Sequence, residues 1–185
     1  MSTQRRRTAG FRIIHGETQV HVDPGPGALV YSNLVNLPPR DLTGIIVTHC
    51  HPDHYTDAEV LIESMTLGRR RNKGTLAATE SVLKGFEGVG PSISLYHQKL
   101  PEKIVSMRKD TEFDIGKLSF RAIKVLHSDP TSMGIRFDAP DIGSFGYTSD
   151  TGYFNELARN LSDLRILSLA VIWPRGNPIH KHLCT

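Results

Sequence analysis

Cysteine is nearly absent: Cys50 and Cys184 are the only two in 185 residues. That is too few for the disulfide framework of a small secreted domain. Long apolar runs are missing too, and none approaches the ~20 residues needed to cross a bilayer. The arginine-rich stretch from Met1 to Gly10 has no apolar segment behind it and does not read as a secretory signal. There is no internal repeat, and neither sign of charge dominates: 22 Lys and Arg stand against 19 Asp and Glu, a formal net charge of +3. The hydrophobic and charged fractions are ordinary for a soluble globular chain. These absences leave a single domain over residues 1–185, long enough to bury a sizeable core, cytoplasmic and without membrane contact. The basic excess gathers in Arg5-Arg6-Arg7 and in Arg69-Arg70-Arg71 with Lys73. Such clusters suit a solvated surface and also a polyanionic partner such as RNA. Homo-oligomerisation stays open at this level.

What is present begins with short β-rich runs. Phe11 to Ile14 and Gln19 to Val22 flank a turn at His15-Gly16-Glu17-Thr18, a hairpin signal. Asp23-Pro24-Gly25-Pro26-Gly27 is a rigid turn, and Ala28 to Leu37 suits a short helix ended by Pro38-Pro39. Gly44-Ile45-Ile46-Val47 predicts a buried strand. Thr56 to Met65 predicts an amphipathic helix, with Thr56 and Glu59 as a capping box, Val60, Leu61 and Met65 on one face, and Gly68 as its end. Thr75 to Ala78 predicts a strand, Glu80 to Phe86 a short helix and Gly85 to Pro91 a loop. Strands are expected again over Ile93 to His97, Ile104 to Met107, Thr111 to Ile115, Leu118 to His127, Met133 to Asp138 and Ser144 to Ser149. Tyr153 to Leu161 reads as a helix and Leu164 to Trp173 as a buried strand ended by Pro174. Helices interspersed among many strands imply two packed sheets with helices outside.

The densest chemistry lies in Thr48-His49-Cys50-His51-Pro52-Asp53-His54, directly after the strand Gly44 to Val47. Imidazole and carboxylate are the ligands borderline divalent metals prefer. Cys50, between two histidines of an extended loop, points away from them and reads as a small buried filler. Further candidate ligands share this position, the loop leaving a strand. His127 follows the run Leu118 to Leu126, Asp150 follows Ser144 to Ser149, and His180 and His182 lie beyond Leu164 to Trp173.

The set H-x-H-x-D-H, a later His, an Asp in Y-T-S-D-T and a final His resembles the metallo-β-lactamase superfamily. The segments Val125-Leu126-His127-Ser128, Gly134-Ile135-Arg136-Phe137 and Phe145 to Thr151 are similar to those of its ribonuclease Z-like branch. Asp23 with Gly25 and Gly27 matches the D-x-G turn that supports the metal loops there. The resemblance implies a four-layer αββα sandwich of two mixed β-sheets with helices outside. It implies one divalent metal held by His49, His51 and His127, a second held by Asp53, His54 and a final histidine, and Asp150 between them. His182 is preferred to His180 as that histidine, because His182-Leu183-Cys184-Thr185 looks like the family's H-[LF]-[SC] ending. Asp53 and His182 are the expected catalytic residues, with Asp53 orienting water or accepting its proton, and Asp23, Thr48 and Thr151 fixing ligand orientation. Zinc is the expected metal, with manganese or iron as alternatives. The opening glycine-rich strand and the segments after the final histidine of that branch are absent, so a chain incomplete at both ends is expected. Pro52 stands where ribonuclease Z usually has glycine, and there is no long glycine/proline-rich arm between Leu67 and Lys124.

The implied activity is hydrolysis at a dinuclear metal site, with a metal-bound bridging hydroxide as nucleophile. A phosphodiesterase or nuclease is the first expectation, favoured by the segments around His127 and Asp150 and by the arginine clusters. A lactone or thioester hydrolase on the same metals is the second, and a metal-binding scaffold without hydrolysis the third.

Overall fold

The computed structural model describes residues 10–170. Sheet one has five strands, β1 (Phe11–His15), β2 (Thr18–Val22), β3 (Gly44–Val47), β4 (Thr75–Thr79) and β5 (Lys103–Met107), in that spatial order. β1 and β2 form the expected antiparallel hairpin, and β2 to β5 run parallel. Sheet two holds β6 (Glu112–Ile115), β7 (Leu118–Lys124), β8 (Met133–Ala139) and β9 (Gly143–Tyr147) as an antiparallel meander, with β10 (Ile166–Ser168) parallel to β9 at the edge. The helices are α1 (Ala28–Leu34), α2 (Pro52–Tyr55), α3 (Ala58–Thr66), α4 (Glu80–Lys84), α5 (Leu95–Gln98) and α6 (Asn155–Asn160). Among the described residues, no helix is long and apolar enough to cross a membrane.

The two-sided burial of β3 explains its unbroken apolar sequence. Ile46 faces the inter-sheet core with Val20, Val22, Ala77, Phe120 and Ile135. Ile45 and Val47 face outward, against Leu61, Ile62 and Met65 of α3 and Val82 of α4. On sheet two, α6 places Leu157 against Ile123, with Leu161 beside them. The expected four-layer αββα arrangement is therefore formed. In the core of sheet two, Phe113, Phe120, Phe137 and Phe145 lie opposite one another across four strands. Their ring centroids are 4.9–5.5 Å apart, aligning the strands by aromatic contact.

Several local expectations fail for identifiable reasons. The helix predicted over Thr56 to Met65 forms as α3, and a short helix that was not expected, α2, precedes it, opened by Pro52 at its N-terminus. Thr56 is not an N-cap but the C-cap of α2, its hydroxyl donating to the Pro52 carbonyl, 2.9 Å away. The N-cap of α3 is Asp57, whose carboxylate instead accepts the Leu29 amide, while Glu59 accepts the Ser94 amide. Val60 is 43% exposed, and the buried face of α3 is Ala58, Leu61, Ile62 and Met65. The strand expected over Ile93 to His97 is instead the helical turn α5, because Ser94 accepts the His97 amide as an N-cap. The last predicted strand is a short exposed edge, with Ile166 57% exposed. Trp173 and Pro174 lie outside the described residues.

Candidate metal centre

The parallel strands β2 and β3 end side by side, which brings the Asp23 turn against the Thr48 to His54 loop. From sheet two, the segment after β7 and the segment after β9 arrive at the same place. Each ladder stops early, β7 at Lys124 and β9 at Tyr147, so His127 and Asp150 stand on free loop three residues beyond their strands. Backbone bonds join these loops. Met133 N–H donates to the Thr48 carbonyl at 3.1 Å, and Gly152 N–H to the Leu126 carbonyl at 2.7 Å. Thr151 accepts the Leu126 amide at 3.0 Å and so ties the His127 loop to the Asp150 loop.

Four imidazoles meet there. His49 is fully buried, and its ring centroid lies 4.7 Å from His51, 3.9 Å from His54 and 4.8 Å from His127. Nitrogens of His49, His51 and His127 come within 4.8 Å of one another, as do the ligand atoms of His49, His54 and Asp150. Each group of three draws on both sheets. His51 Nδ1 and His127 Nε2 face each other at 3.0 Å, within hydrogen-bond distance, so that one donates to the other where a shared ion would replace the proton.

Asp23 sets the frame behind them. Its carboxylate, fully buried, accepts from Thr48 N at 2.8 Å, Thr48 Oγ1 at 2.7 Å, His54 Nδ1 at 2.9 Å and Tyr147 OH at 3.0 Å. With its one hydroxyl hydrogen given to Asp23, Thr48 Oγ1 must accept from Ser149 Oγ at 2.6 Å and can accept from His49 Nδ1 at 3.2 Å. That puts the His49 proton on Nδ1 and leaves Nε2, a buried nitrogen without a partner, facing the cluster. Burial and the neighbouring imidazoles hold His49 well below its ordinary pKa, and burial likewise lowers His127. For His54 burial works downward, but hydrogen bonds with Asp150 and Asp23 outweigh it and raise the pKa to about 10. Burial also opposes the Asp150 charge, yet His54, 3.6 Å away, holds that carboxyl below the usual carboxylate range. A proton shared between His54 and Asp150 occupies a place suited to a cation.

This site geometry, on this sandwich, coincides with a family match. Residues 18–183 match the family described as the beta-lactamase superfamily domain. The chain belongs to that superfamily. It is similar to uncharacterized protein MJ1374 of Methanocaldococcus jannaschii, 34% identical over 183 residues, which are 99% of this chain and 68% of that protein. Over 179 residues it is 30% identical to the cAMP/cGMP-dependent 3',5'-cAMP/cGMP phosphodiesterase B of Dictyostelium discoideum, covering 90% of the chain and 15% of that protein. It is 33% identical over 110 residues to the ribonuclease Z of Thermococcus sibiricus, covering 55% of the chain and 35% of that enzyme. The metallo-beta-lactamase fold protein YhfI of Bacillus subtilis superposes with a TM-score of 0.67 at 17% identity, covering 89% of this chain and 64% of YhfI. The chain thus spans about two-thirds of the archaeal relative and smaller shares of the others.

The superfamily's members are metal-dependent hydrolases, and its fold implies divalent metal binding. The donor set fits a divalent cation: the unpartnered His49 Nε2 and the facing His51 and His127 nitrogens are what such an ion requires. Of the other expected site residues, Asp53 sits half-buried in the first turn of α2 and joins neither group of three. His180, His182, Cys184 and the Arg5-Arg6-Arg7 cluster lie outside the described residues. Cys50 packs against the outer core as expected of a filler, and burial with Asp129 beside it pushes its thiol up to about 12.

The sequence reading gave no role to Asp129, Tyr147 or Ser149. Asp129, 1% exposed, accepts from Cys50 N at 3.0 Å, from Thr131 N at 2.8 Å, from Thr131 Oγ1 at 2.9 Å and from Ser81 Oγ. Burial opposes its charge, and those bonds hold its carboxyl low. It thereby pins the His49 to His51 loop to α4 and to the loop after β7. The signal was there in Asp129-Pro130-Thr131, since an aspartate before proline in a turn commonly accepts from the backbone two residues on. Tyr147 and Ser149 carry no such mark.

Proposed function

We propose that the chain is a dinuclear-metal phosphodiesterase or nuclease resembling ribonuclease Z. The observation that carries this reading is the pair of ligand groups, His49–His51–His127 and His49–His54–Asp150, which meet at one buried histidine across the two sheets. The choice of phosphodiester is supported by the named phosphodiesterase and ribonuclease Z among the relatives. In this reading His49, His51 and His127 hold one ion, zinc by ligand type. Asp53, His54 and His182 hold the other, with Asp150 between them. Two such ions supply Lewis acidity to a phosphoryl oxygen and make water acidic enough to attack near neutral pH. The chain's own groups then do the rest. Asp23 fixes the His54 ring through Nδ1, Thr48 and Ser149 fix His49, and Asp53 orients water and takes its proton.

The test is a panel with the purified, metal-loaded protein, setting bis-aryl phosphodiesters and short RNAs against lactones and thioesters, with Asp53→Ala as the blank. Phosphodiester hydrolysis that is lost in the blank is expected. Hydrolysis of carbonyl substrates alone would replace this reading with a lactonase or thioesterase. Metal binding with no turnover on any substrate would leave a metal-holding scaffold.

A further inference from the structure

The arginine cluster does not line the metal centre. It lies at the opposite end of sheet one, where β3 and β4 begin rather than where β3 ends. Thr75 N–H donates to the Thr43 carbonyl, Lys103 N–H to the Gly74 carbonyl, and Lys73 Nζ to the Arg40 carbonyl at 3.1 Å. These bonds gather Arg40, Arg69, Arg70, Arg71, Lys73 and Lys103 at one end. Of these six cations all but the half-buried Lys73 are exposed, and the only acids beside them in sequence are Asp41 and Glu102. The side chains of Arg69, Arg70 and Arg71 have no hydrogen-bond or ion-pair partner among the described residues. The turn that carries them is tightly wound: Leu67, Gly68 and Arg69 all have positive φ, of 50°, 58° and 70°. Arg71 N–H is held on the Thr66 carbonyl at 3.0 Å, which fixes the cluster to the end of α3. Cations there also complement the helix dipole, but one would suffice, and three in succession spread over solvent. From Thr43 to His49 the extended chain covers about 20 Å.

We propose that this basic end is an exosite for the phosphate backbone of a single-stranded nucleic acid, engaging the strand about 20 Å from the bond that is cut. The unpaired arginines supply delocalised charge for phosphate oxygens. The spacing means that only a strand several nucleotides long reaches both places. The inference extends the phosphodiesterase reading above, but it is tested by binding alone, so failure of either leaves the other standing.

The experiment is fluorescence anisotropy of an oligouridylate of about 20 nucleotides, with its integrity checked on a gel. Wild type is compared with Arg69→Gln/Arg70→Gln/Arg71→Gln/Lys73→Gln and with a control of equal charge loss on the outer face of sheet two, Lys109→Gln/Arg121→Gln/Lys124→Gln/Arg159→Gln. Folding of each is followed by circular dichroism, and Arg70→Gln alone serves if the quadruple variant is unstable. The patch variant should bind roughly tenfold or more weakly at low salt, with the slope of log affinity against log salt reduced by about 3. The control should stay near wild type. Unchanged affinity in the patch variant, or an equal loss in the control, overturns the proposal.

Discussion

One buried carboxylate shows how much the site depends on residues that touch no substrate. Asp23 accepts four hydrogen bonds, three of them at Oδ2. In Asp23→Asn, the amide can place one acceptor but must turn its NH₂ toward donors on the other side. The expected result is a loss of about 2–4 kcal/mol in urea unfolding and of roughly 10–100-fold in metal affinity, read by titration against a chromophoric chelator. Asp150→Ala instead removes a proposed ligand. Metal content should fall sharply from about two per chain, and undiminished binding would sink its place between the ions. A separate prediction concerns His21, buried in β2 with its Nδ1 unpartnered. Burial first, then the Arg12 charge, hold its pKa down at about 4 against the pull of Asp23 and Asp57. The unfolded chain, with an ordinary histidine near ~6.5, binds a proton there that the native protein does not. His21 therefore weakens the fold as pH falls from 6.5 toward 4, by roughly 3 kcal/mol in all. Comparison of His21→Leu with wild type isolates this term from the other histidines. The variant's unfolding free energy should fall less across that window, and parallel curves would contradict the assignment.

At the scale of elements, legibility follows from how far local sequence decides the outcome. β3 was readable because both its faces are buried, so nothing polar interrupts it. The ligand loop was readable because histidine and aspartate are dense there. His127 and Asp150 were picked out by position and by the family resemblance, and their strands end at Lys124 and Tyr147, short of the runs the sequence suggests. Apolarity reports burial, whereas strand assignment requires a hydrogen-bonded neighbour. Asp129 stayed unread because two of its partners, Cys50 in the ligand-rich loop and Ser81 in α4, are 79 and 48 residues away in the chain. The same limit misplaced the face of α3. Its pattern allowed Val60 inside, but Val60 is exposed and Ile62 is buried with Ala58, Leu61 and Met65. Leu61→Ala should therefore cost about 2–5 kcal/mol. Val60→Ala should stay within roughly 0.5 kcal/mol by the same urea titration. Equal costs for the two would mean that the helix packs on the face first expected.

For the whole molecule, the metal centre matters because of which halves it joins. His49, His51 and His54 leave sheet one, while His127 and Asp150 leave sheet two, and each group of three mixes the two origins. The apolar core already holds the sheets together from β3 to the Phe113–Phe145 ladder. Bound ions would therefore act at the rim of that interface, where four imidazoles and a carboxylate otherwise crowd without full pairing. An ion that binds only the native state stabilises it by mass action, about 4 kcal/mol when its concentration is a thousandfold above its dissociation constant. For a chain of this length each kcal/mol raises the melting temperature by about 2–4 °C. Chelation should then lower the melting temperature by roughly 8–16 °C, with ion restored in excess recovering it. His51→Ala removes one group of three and His54→Ala the other, so each variant should keep only part of that shift. In the proposed two-ion site the ligands would then also be struts between the sheets, and metal loss would be a structural event before a catalytic one. A melting temperature indifferent to chelator in the metal-loaded wild type would refute that coupling, because ions that hold both sheets cannot leave without weakening their union.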